Sequence, residues 1–304
     1  PRLVESVTID DVTNKRNDHL SYSQISMYLR CGMQYWFRYI QGLKEPPALA
    51  PSAGAAGHNA VEADHKRKIR TGMSMTLEEM LDYFSSVYDL RVREVEAKAN
   101  EDKGRVKDDI TSSLSVYHAV IAPKVLPVLV EKAFDLKIEG QNRAVRPVMG
   151  RIDLVSYNPK KKYGVWDNKF TMSRRTKSQI EIDTSIQLST YDMAFEQETG
   201  KTAGQLGIIQ FMPPGRNAAT YPAEVKVIQR SKALMTKKAR KARAARTIYQ
   251  YETAEAGIAA GIFIPTDSPM VCGWCGYRER CQNALVSDYD AMRIKENTDD
   301  PTAT

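Results

Sequence analysis

The sequence predicts an α/β fold, a mixed β-sheet flanked by helices. Two short apolar runs, residues 152–157 and 163–170, enclose a polar segment, a pattern typical of two strands joined by a turn. Two further strand-like runs, 205–212 and 223–229, are separated by a Pro-Pro-Gly turn. A helical segment over about 182–199 lies between the hairpin and these runs, so strands and helices alternate along the chain.

The hairpin gathers charged side chains on one surface. With its turn centred near Lys160, Asp153 lies roughly opposite Asp167, and opposed Cβ atoms are about 5 Å apart. Asp167 and Lys169 are two residues apart on one strand, so they share a face. Paired carboxylates suit Mg²⁺ or Mn²⁺, and a nearby lysine can orient a water or offset charge on a phosphate. On spacing alone, a polar hairpin face with an Asp–Lys pair is the simpler explanation.

The N-terminal segments are expected to be helical. Ser21 followed by Gln24 predicts a helix start with a capping box, and aromatic residues follow at helical spacing. A proline-containing loop is expected over 45–56. A second helix is then expected over 57–70, and it carries His58, which on its own is more often structural than a ligand.

Residues 76–131 carry apolar side chains at three- and four-residue spacing, which predicts long amphipathic helices that form an insertion. Pro123 and Pro127 break or kink the last of these helices. Glu131 is then either a charge at the helix end or a support for the hairpin site. The first strand is expected over 134–140.

Basic residues are unevenly distributed along the chain. The net charge is +7, yet residues 225–251 hold nine basic residues and no acidic one, which leaves −2 for the rest. A basic helix is expected over 231–250, and such a patch binds phosphates without reading bases. The loop after the hairpin adds three basic residues, although a solvated loop would look the same. The residues expected to contact DNA are Arg174, Arg175, Lys177, Lys232, Lys237, Lys238, Arg240, Lys241, Arg243 and Arg246.

Length and composition restrict the class of protein. The 304 residues suffice for a packed core. No apolar run approaches the ~20 residues of a membrane span and the start is polar, so we expect a cytosolic protein without a membrane partner. Four cysteines in such a protein favour a metal site or free thiols over disulfides. Cys31 is distant from the cluster Cys272, Cys275 and Cys281, and together they could hold zinc or an iron–sulfur cluster.

These motifs resemble the core of the PD-(D/E)XK nucleases, and most closely the RecB-type branch, which includes the AddB nuclease domain and the CRISPR-associated adaptation nucleases. The runs Gly150-Arg151-Ile152-Asp153 and Asp167-Asn168-Lys169 match its G-x-x-D and D/E-x-K pattern. The resemblance covers about 20–40, 57–58, 134–229 and 265–281. It implies a PD-(D/E)XK restriction-endonuclease-like core with a helical insertion and an iron–sulfur crosslink between the N- and C-terminal segments.

The resemblance also implies roles for individual residues. Lys169 positions or activates the attacking water. Gln187 and Tyr191 match a Q-x-x-x-Y motif and hold the substrate or the lysine. The implied ligands of Mn²⁺ or Mg²⁺ are His58, Asp153, Asp167 and the backbone carbonyl of Asn168. The implied ligands of a structural 4Fe-4S cluster are Cys31, Cys272, Cys275 and Cys281.

The sequence therefore predicts a metal-dependent DNA exonuclease of recombination, repair or phage DNA metabolism, acting on single-stranded DNA or DNA ends. A CRISPR-adaptation nuclease that trims spacer DNA is one alternative. A non-catalytic nucleic-acid-binding module crosslinked by zinc is the alternative of another class, and metal-dependent cleavage separates it from the enzymes. We expect a single nuclease domain over 1–304, made of N-terminal helices (1–70), a helical insertion (71–131), a nuclease core (132–230), a basic and cysteine-containing segment (231–282) and a polar tail (283–304).

Overall fold

A computed structural model describes residues 18–140, 143–160 and 162–287, with side chains up to residue 282. Most of the predicted polar tail lies outside the described residues. The helices are α1 (Tyr22–Arg30), α2 (Gly32–Tyr35), α3 (Leu49–Thr71), α4 (Leu77–Val92), α5 (Lys103–Val120), α6 (Gln179–Asp183), α7 (Ile186–Thr199), α8 (Lys237–Ala259), α9 (Pro269–Gly273) and α10 (Arg278–Ser287). The strands are β1 (Pro127–Leu136), β2 (Val148–Asn158), β3 (Lys162–Phe170), β4 (Gln205–Met212) and β5 (Glu224–Gln229). No helix in this part of the chain is long and apolar enough to cross a membrane.

The five strands of the described residues form one mixed sheet in the order β1-β2-β3-β4-β5. Strands β2 and β3 are antiparallel with Leu154 opposite Trp166, which confirms the predicted hairpin register. Strand β3 is parallel to β4, whereas β4 and β5 are antiparallel. A parallel neighbour requires a crossover connection, and helices α6 and α7 supply it. The mixed sheet flanked by helices confirms the predicted fold class.

The chain divides into two compact units. The first comprises Pro1–Pro46, Lys137–Val148 and Ile248–Thr304, and the second comprises Pro47–Leu136 and Met149–Thr247. The expected single nuclease domain stays a prediction.

Each unit has its own apolar core. In the second unit, helices α3, α4 and α5 contribute buried residues that pack with Leu154, Trp166 and Phe211 of the sheet. In the first unit the core is largely aromatic and includes Tyr35, Phe37, Ile258 and Tyr277 among other residues. Burial of these large apolar side chains is the main favourable contribution to the folding of each unit.

Some predicted helix boundaries were wrong. Helix α3 begins at Leu49, so the expected loop over 45–56 is mostly helical. The segment is rich in alanine, and Pro51 falls in the first turn, where its missing N–H costs no hydrogen bond. The expected helix over 182–199 is interrupted, because the Ser185 side chain accepts a hydrogen bond from the Leu188 amide and begins a new helix.

Two further segments differ from expectation. Strand β1 begins at Pro127 rather than at residue 134, so Glu131 lies within a strand. The basic helix α8 begins at Lys237, and Lys232 belongs to a short 3-10 turn, Lys232–Met235. Proline is tolerated as the first residue of a strand, which explains why Pro127 starts β1 instead of only ending a helix.

Candidate active site

One cluster of polar side chains in the second unit draws on four structural elements. His58 comes from α3, Glu131 from β1, Asp153 from β2, and both Asp167 and Lys169 from β3. Asp153 and Asp167 lie immediately beyond the last regular pair of the β2–β3 ladder, and the side chains of both are buried. The structure therefore brings together the predicted residues His58, Asp153, Asp167 and Lys169.

Three of these residues form a set of possible metal ligands. The His58 Nε2 atom lies 2.7 Å from Glu131 Oε1, and His58 Nδ1 lies 3.8 Å from Asp153 Oδ2. One ligand atom from each of the three lies within 4.8 Å of the others, and no other such trio occurs among the described residues. One imidazole nitrogen and two carboxylate oxygens suit Mn²⁺ well and Mg²⁺ adequately.

Asp167 is held by a different set of contacts. Its Oδ2 atom lies 2.8 Å from Lys169 Nζ, and its Oδ1 accepts a 2.7 Å hydrogen bond from Gln187 Nε2. The Gln187 amide also donates to the Tyr191 hydroxyl at 3.0 Å. The predicted Q-x-x-x-Y pair therefore meets the predicted carboxylate. The Lys169 side chain remains 39% exposed, so its ammonium group can still reach a ligand.

Asn168 contacts the site through its backbone amide. That N–H donates a 2.8 Å hydrogen bond to Asp153 Oδ2, which fixes the carboxylate between β2 and β3. The Asn168 side chain is buried, and its Oδ1 atom has no hydrogen-bond partner among the described residues. The ligand role implied for the Asn168 carbonyl stays a prediction.

The site holds more protons than isolated side chains would. Burial, reinforced by the nearby Asp167 carboxylate, raises the pKa of Asp153 to about 7. Burial also raises the pKa of Asp167, although Lys169 opposes this effect. Burial alone would lower the pKa of His58, but its bond to Glu131 and the charge of Asp153 outweigh it and raise that pKa. A cation bound among these groups would displace protons from them.

Two local backbone features place the ligands. Gly57 precedes His58, and a Cβ atom there would lie 2.6 Å from the Phe170 ring, so only glycine allows α3 to approach the end of β3 this closely. Glu131 has φ +49° within β1. Left-handed backbone at a glutamate costs of order 1–3 kcal/mol, and such strain concentrates at functional sites.

Sequence reasoning underestimated Glu131, which it treated as a helix-end charge or a supporting residue. The error followed from starting the first strand at residue 134. The apolar run Val128-Leu129-Val130 after Pro127 was a strand signal that preceded the glutamate directly.

The basic loop after β3 is tied to the protein itself. Arg174 donates hydrogen bonds to the carbonyl oxygens of Pro213 and Pro222, and its guanidinium lies 5.9 Å from the centre of the exposed Tyr221 ring. Arg175 and Lys177 both pair with Glu181, at 2.8 and 2.9 Å. These contacts order the loop and occupy side chains that the sequence assigned to DNA.

The basic helix divides into engaged and exposed cations. Arg240 forms an ion pair with Asp192, and both side chains are mostly buried. Arg243 is half-buried. The remaining predicted DNA-contact residues of this segment are exposed: Lys232, Lys237, Lys238, Lys241 and Arg246.

The four cysteines line one cavity in the first unit. The cavity has a volume of about 70 Å³, and apolar residues such as Met33 and Phe37 complete its wall. Burial raises the pKa of Cys281, and the nearby sulfurs of Cys31, Cys275 and Cys272 add to the effect. The predicted cluster ligands thus share one cavity despite the long stretch of chain between Cys31 and the others.

Comparisons with known proteins place the chain in a family. No curated protein matches the sequence. A solved structure described as the crystal structure of SSO0001 is 15% identical, with 86% of this chain and 95% of that chain covered and a TM-score of 0.33. The family model of the PD-(D/E)XK nuclease superfamily matches residues 19–282. Because that match spans most of the sequence and includes every residue of the site described above, this chain belongs to the PD-(D/E)XK nuclease superfamily.

Proposed function

We propose that this protein is a metal-dependent DNA exonuclease of the RecB type, acting in recombination, repair or phage DNA metabolism. The observation that carries the proposal is the meeting of a three-residue metal-ligand set with an adjacent Lys–Asp pair. Membership of the superfamily supports a metal-dependent nuclease. The exonucleolytic mode rests on the RecB-type motifs.

His58, Glu131 and Asp153 are the proposed metal ligands, and Asp167 completes the acidic surface beside them. A cation held by these residues would supply Lewis acidity and would lower the pKa of water next to it, as in other metal-dependent phosphodiester hydrolysis. In the metal-free protein, the short contact between His58 and Glu131 holds a proton in the same region. The imidazole ligand favours Mn²⁺ over Mg²⁺.

Lys169 acts on the water and on the phosphate. Its ammonium group is oriented by Asp167, which Gln187 holds from the other side. Because the lysine is tethered at 2.8 Å yet partly exposed, it positions the attacking water and offsets the negative charge that develops on the phosphate. Tyr191 and Gln187 act as positioning residues, since their contacts run through Asp167.

The cysteine cavity is the proposed site of a structural 4Fe-4S cluster. Four thiolates are the donor set that such a cluster requires. Tetrahedral zinc with Zn–S bonds of about 2.3 Å needs sulfurs roughly 3.8 Å apart. No three cysteine sulfurs of the described residues lie within 4.8 Å of one another, so their spacing favours the larger 4Fe-4S cluster over a zinc ion. The volume of about 70 Å³ also exceeds the roughly 10–15 Å³ that a single water occupies by a comparable measure.

A digest of end-labelled DNA tests the proposed activity. Linear and circular substrates, each single- and double-stranded, are incubated with Mn²⁺, with Mg²⁺ or with EDTA. We expect metal-dependent shortening of linear DNA, intact circles, and no cleavage by a Lys169→Ala variant. Cleavage of circles would establish endonuclease activity instead. Absence of cleavage in every metal, together with tight DNA binding and zinc in the cysteine site, would establish the non-catalytic binding module.

A further inference from the structure

Arg151 lies on β2, two residues before the proposed metal ligand Asp153. Residues at this spacing on a strand share a face and lie about 7 Å apart. Arg151 is exposed, and within the described ranges its side chain makes no ion pair or hydrogen bond. An exposed guanidinium that no described residue contacts, on the same face as the candidate active site, is available to a ligand.

The strand register brings Arg151 close to Lys169. The β2–β3 ladder pairs Leu154 with Trp166, and carrying this register further puts Arg151 level with Lys169. The strands stay adjacent past the ladder, because the Asn168 amide bonds to Asp153 at 2.8 Å. Two cations facing each other across neighbouring strands repel, and the ion pair described for Asp167 is with Lys169 and not with Arg151. A bound anion removes that repulsion.

Other basic residues near this end of the sheet are less available. Arg174 is used by backbone carbonyls, and Arg175 and Lys177 share Glu181. These three follow β3 directly in sequence and were the more obvious candidates for contacting DNA. Arg151 therefore differs from them, because no described residue contacts its guanidinium donors.

We propose that Arg151 binds a backbone phosphate of the DNA strand, next to the scissile phosphate, and so sets which linkage enters the active site. The inference rests on the proposed nuclease function. A guanidinium presents parallel N–H donors that match two phosphate oxygens, and charge-assisted bonds of this kind are stronger than neutral ones. Lys169 contacts the scissile group, while Arg151 holds its neighbour.

A thermodynamic cycle tests this contact through binding alone. The Lys169→Ala background prevents cleavage, and the probe is a set of single-stranded oligonucleotides, each with one neutral methylphosphonate linkage. With Arg151 present, neutralising one particular linkage weakens binding by about tenfold, as loss of a charge-assisted contact does. In the Arg151→Ala variant, binding to unmodified DNA is about tenfold weaker and that linkage no longer matters. The log–log salt slope falls by about 0.7.

Two further variants make the cycle decisive. Arg151→Lys keeps the positive charge but loses the two parallel N–H donors of the guanidinium. Compared with Arg151→Ala, it should therefore restore the salt slope of DNA binding but only part of the affinity. Lys132→Ala removes a cation of β1 that pairs with Glu198, and it leaves every linkage effect unchanged. Linkage effects that are the same with and without Arg151, or no sensitive linkage at all, would overturn the contact. DNA cleavage by the wild-type protein is measured separately. Failure of the proposed nuclease function is therefore distinguishable from failure of the Arg151 contact.

Discussion

The candidate active site and the cysteine cavity are held together in different ways. In the active site, hydrogen bonds already connect His58 to Glu131 and Asp167 to Lys169. In the cavity, the one hydrogen bond described for a cysteine sulfur is a long contact from Cys272 Sγ to the Thr266 carbonyl, at 3.7 Å. Protein contacts alone therefore connect the side chains of the candidate active site, whereas among the described residues no hydrogen bond joins one cysteine sulfur to another. We expect loss of the proposed cation to cost activity in the first case, and loss of the proposed cluster to cost stability in the second.

The largest effect is expected from removing single groups of the active site. Asp153→Ala and Lys169→Ala should each lower the cleavage rate by at least about 10³-fold, because the first removes a proposed metal ligand and the second removes the positive charge beside the phosphate. The folded protein should persist, since Asp153 is a buried carboxylate whose raised pKa shows that its charge is unfavourable there. Single-turnover cleavage and thermal melting, done in parallel, measure both effects. The exposed Asp135→Asn is the control, and near-normal cleavage by either variant would remove that residue from the mechanism.

Substitution of a cysteine in the cavity should affect mainly stability, whereas substitutions in the candidate active site should affect mainly activity. Cys31→Ala should lower the free energy of unfolding by about 2–5 kcal/mol, as loss of a crosslink does, and activity should fall only as folded protein is lost. Protein purified anaerobically should contain iron and sulfide and absorb near ~400 nm. Trp274→Ala is the matched control, because Trp274 lies between Cys272 and Cys275 in sequence but its side chain is 79% exposed. Unchanged metal content and melting in Cys31→Ala would contradict the crosslink.

Substitution of the other two proposed metal ligands, His58 and Glu131, should weaken metal use without abolishing it. His58→Ala and Glu131→Gln should raise the Mn²⁺ concentration for half-maximal cleavage by about 10–100-fold. His58→Ala should also reduce the preference for Mn²⁺ over Mg²⁺, since the imidazole is the softer donor. Glu62→Gln is the control, because Glu62 pairs with Lys66. An unchanged Mn²⁺ titration for Glu131→Gln would exclude Glu131 from the ligands.

The protons of the active site predict a pH dependence. Metal binding should tighten as pH rises through about 7, because Asp153 and His58 must lose their protons to the solvent before they can bind the cation. The raised pKa of Asp153 also affects the stability of the fold. Its contribution to the free energy of unfolding is fully present below pH ~4 and is lost as pH rises through about 7. Calorimetric Mn²⁺ titrations at pH 6 and pH 8 in buffers of different ionisation enthalpy measure the released protons. An affinity independent of pH would contradict the raised pKa values.

The smallest effect concerns the basic helix. Replacing Lys237, Lys238 and Lys241 together should reduce the log–log salt slope of DNA binding by about 2–3, since each lost phosphate contact contributes about 0.7–0.9. Arg240→Ala removes the same kind of charge, but Arg240 pairs with Asp192, so it should change stability and leave the slope nearly constant. Equal slopes in both variants would mean that the exposed lysines do not meet DNA.

Local patterns predicted the hairpin but not its partners. The two-residue period of strands and a symmetric turn sufficed to set Asp153 against Asp167, because register follows from spacing within one short segment. The sequence did not predict Glu131 as a ligand, because its position depends on where β1 begins and on its own left-handed backbone conformation within that strand. Nothing in the sequence around Arg240 reveals Asp192, which lies 48 residues away. Whether a basic side chain forms an ion pair within the protein depends on the tertiary structure. The sequence alone does not distinguish paired from unpaired basic residues.

The segmented make-up of the first unit affects when it can form during synthesis. Its parts lie near the start, in the middle and near the end of the chain, and about 240 residues separate Cys31 from Cys272. As the chain leaves the ribosome, the second unit has all of its residues before residue 272 emerges. The aromatic surface around Tyr35 and Phe37 must therefore wait, exposed or in transient contacts, until the last cysteines arrive. During this interval the chain offers chaperones the most apolar surface to bind.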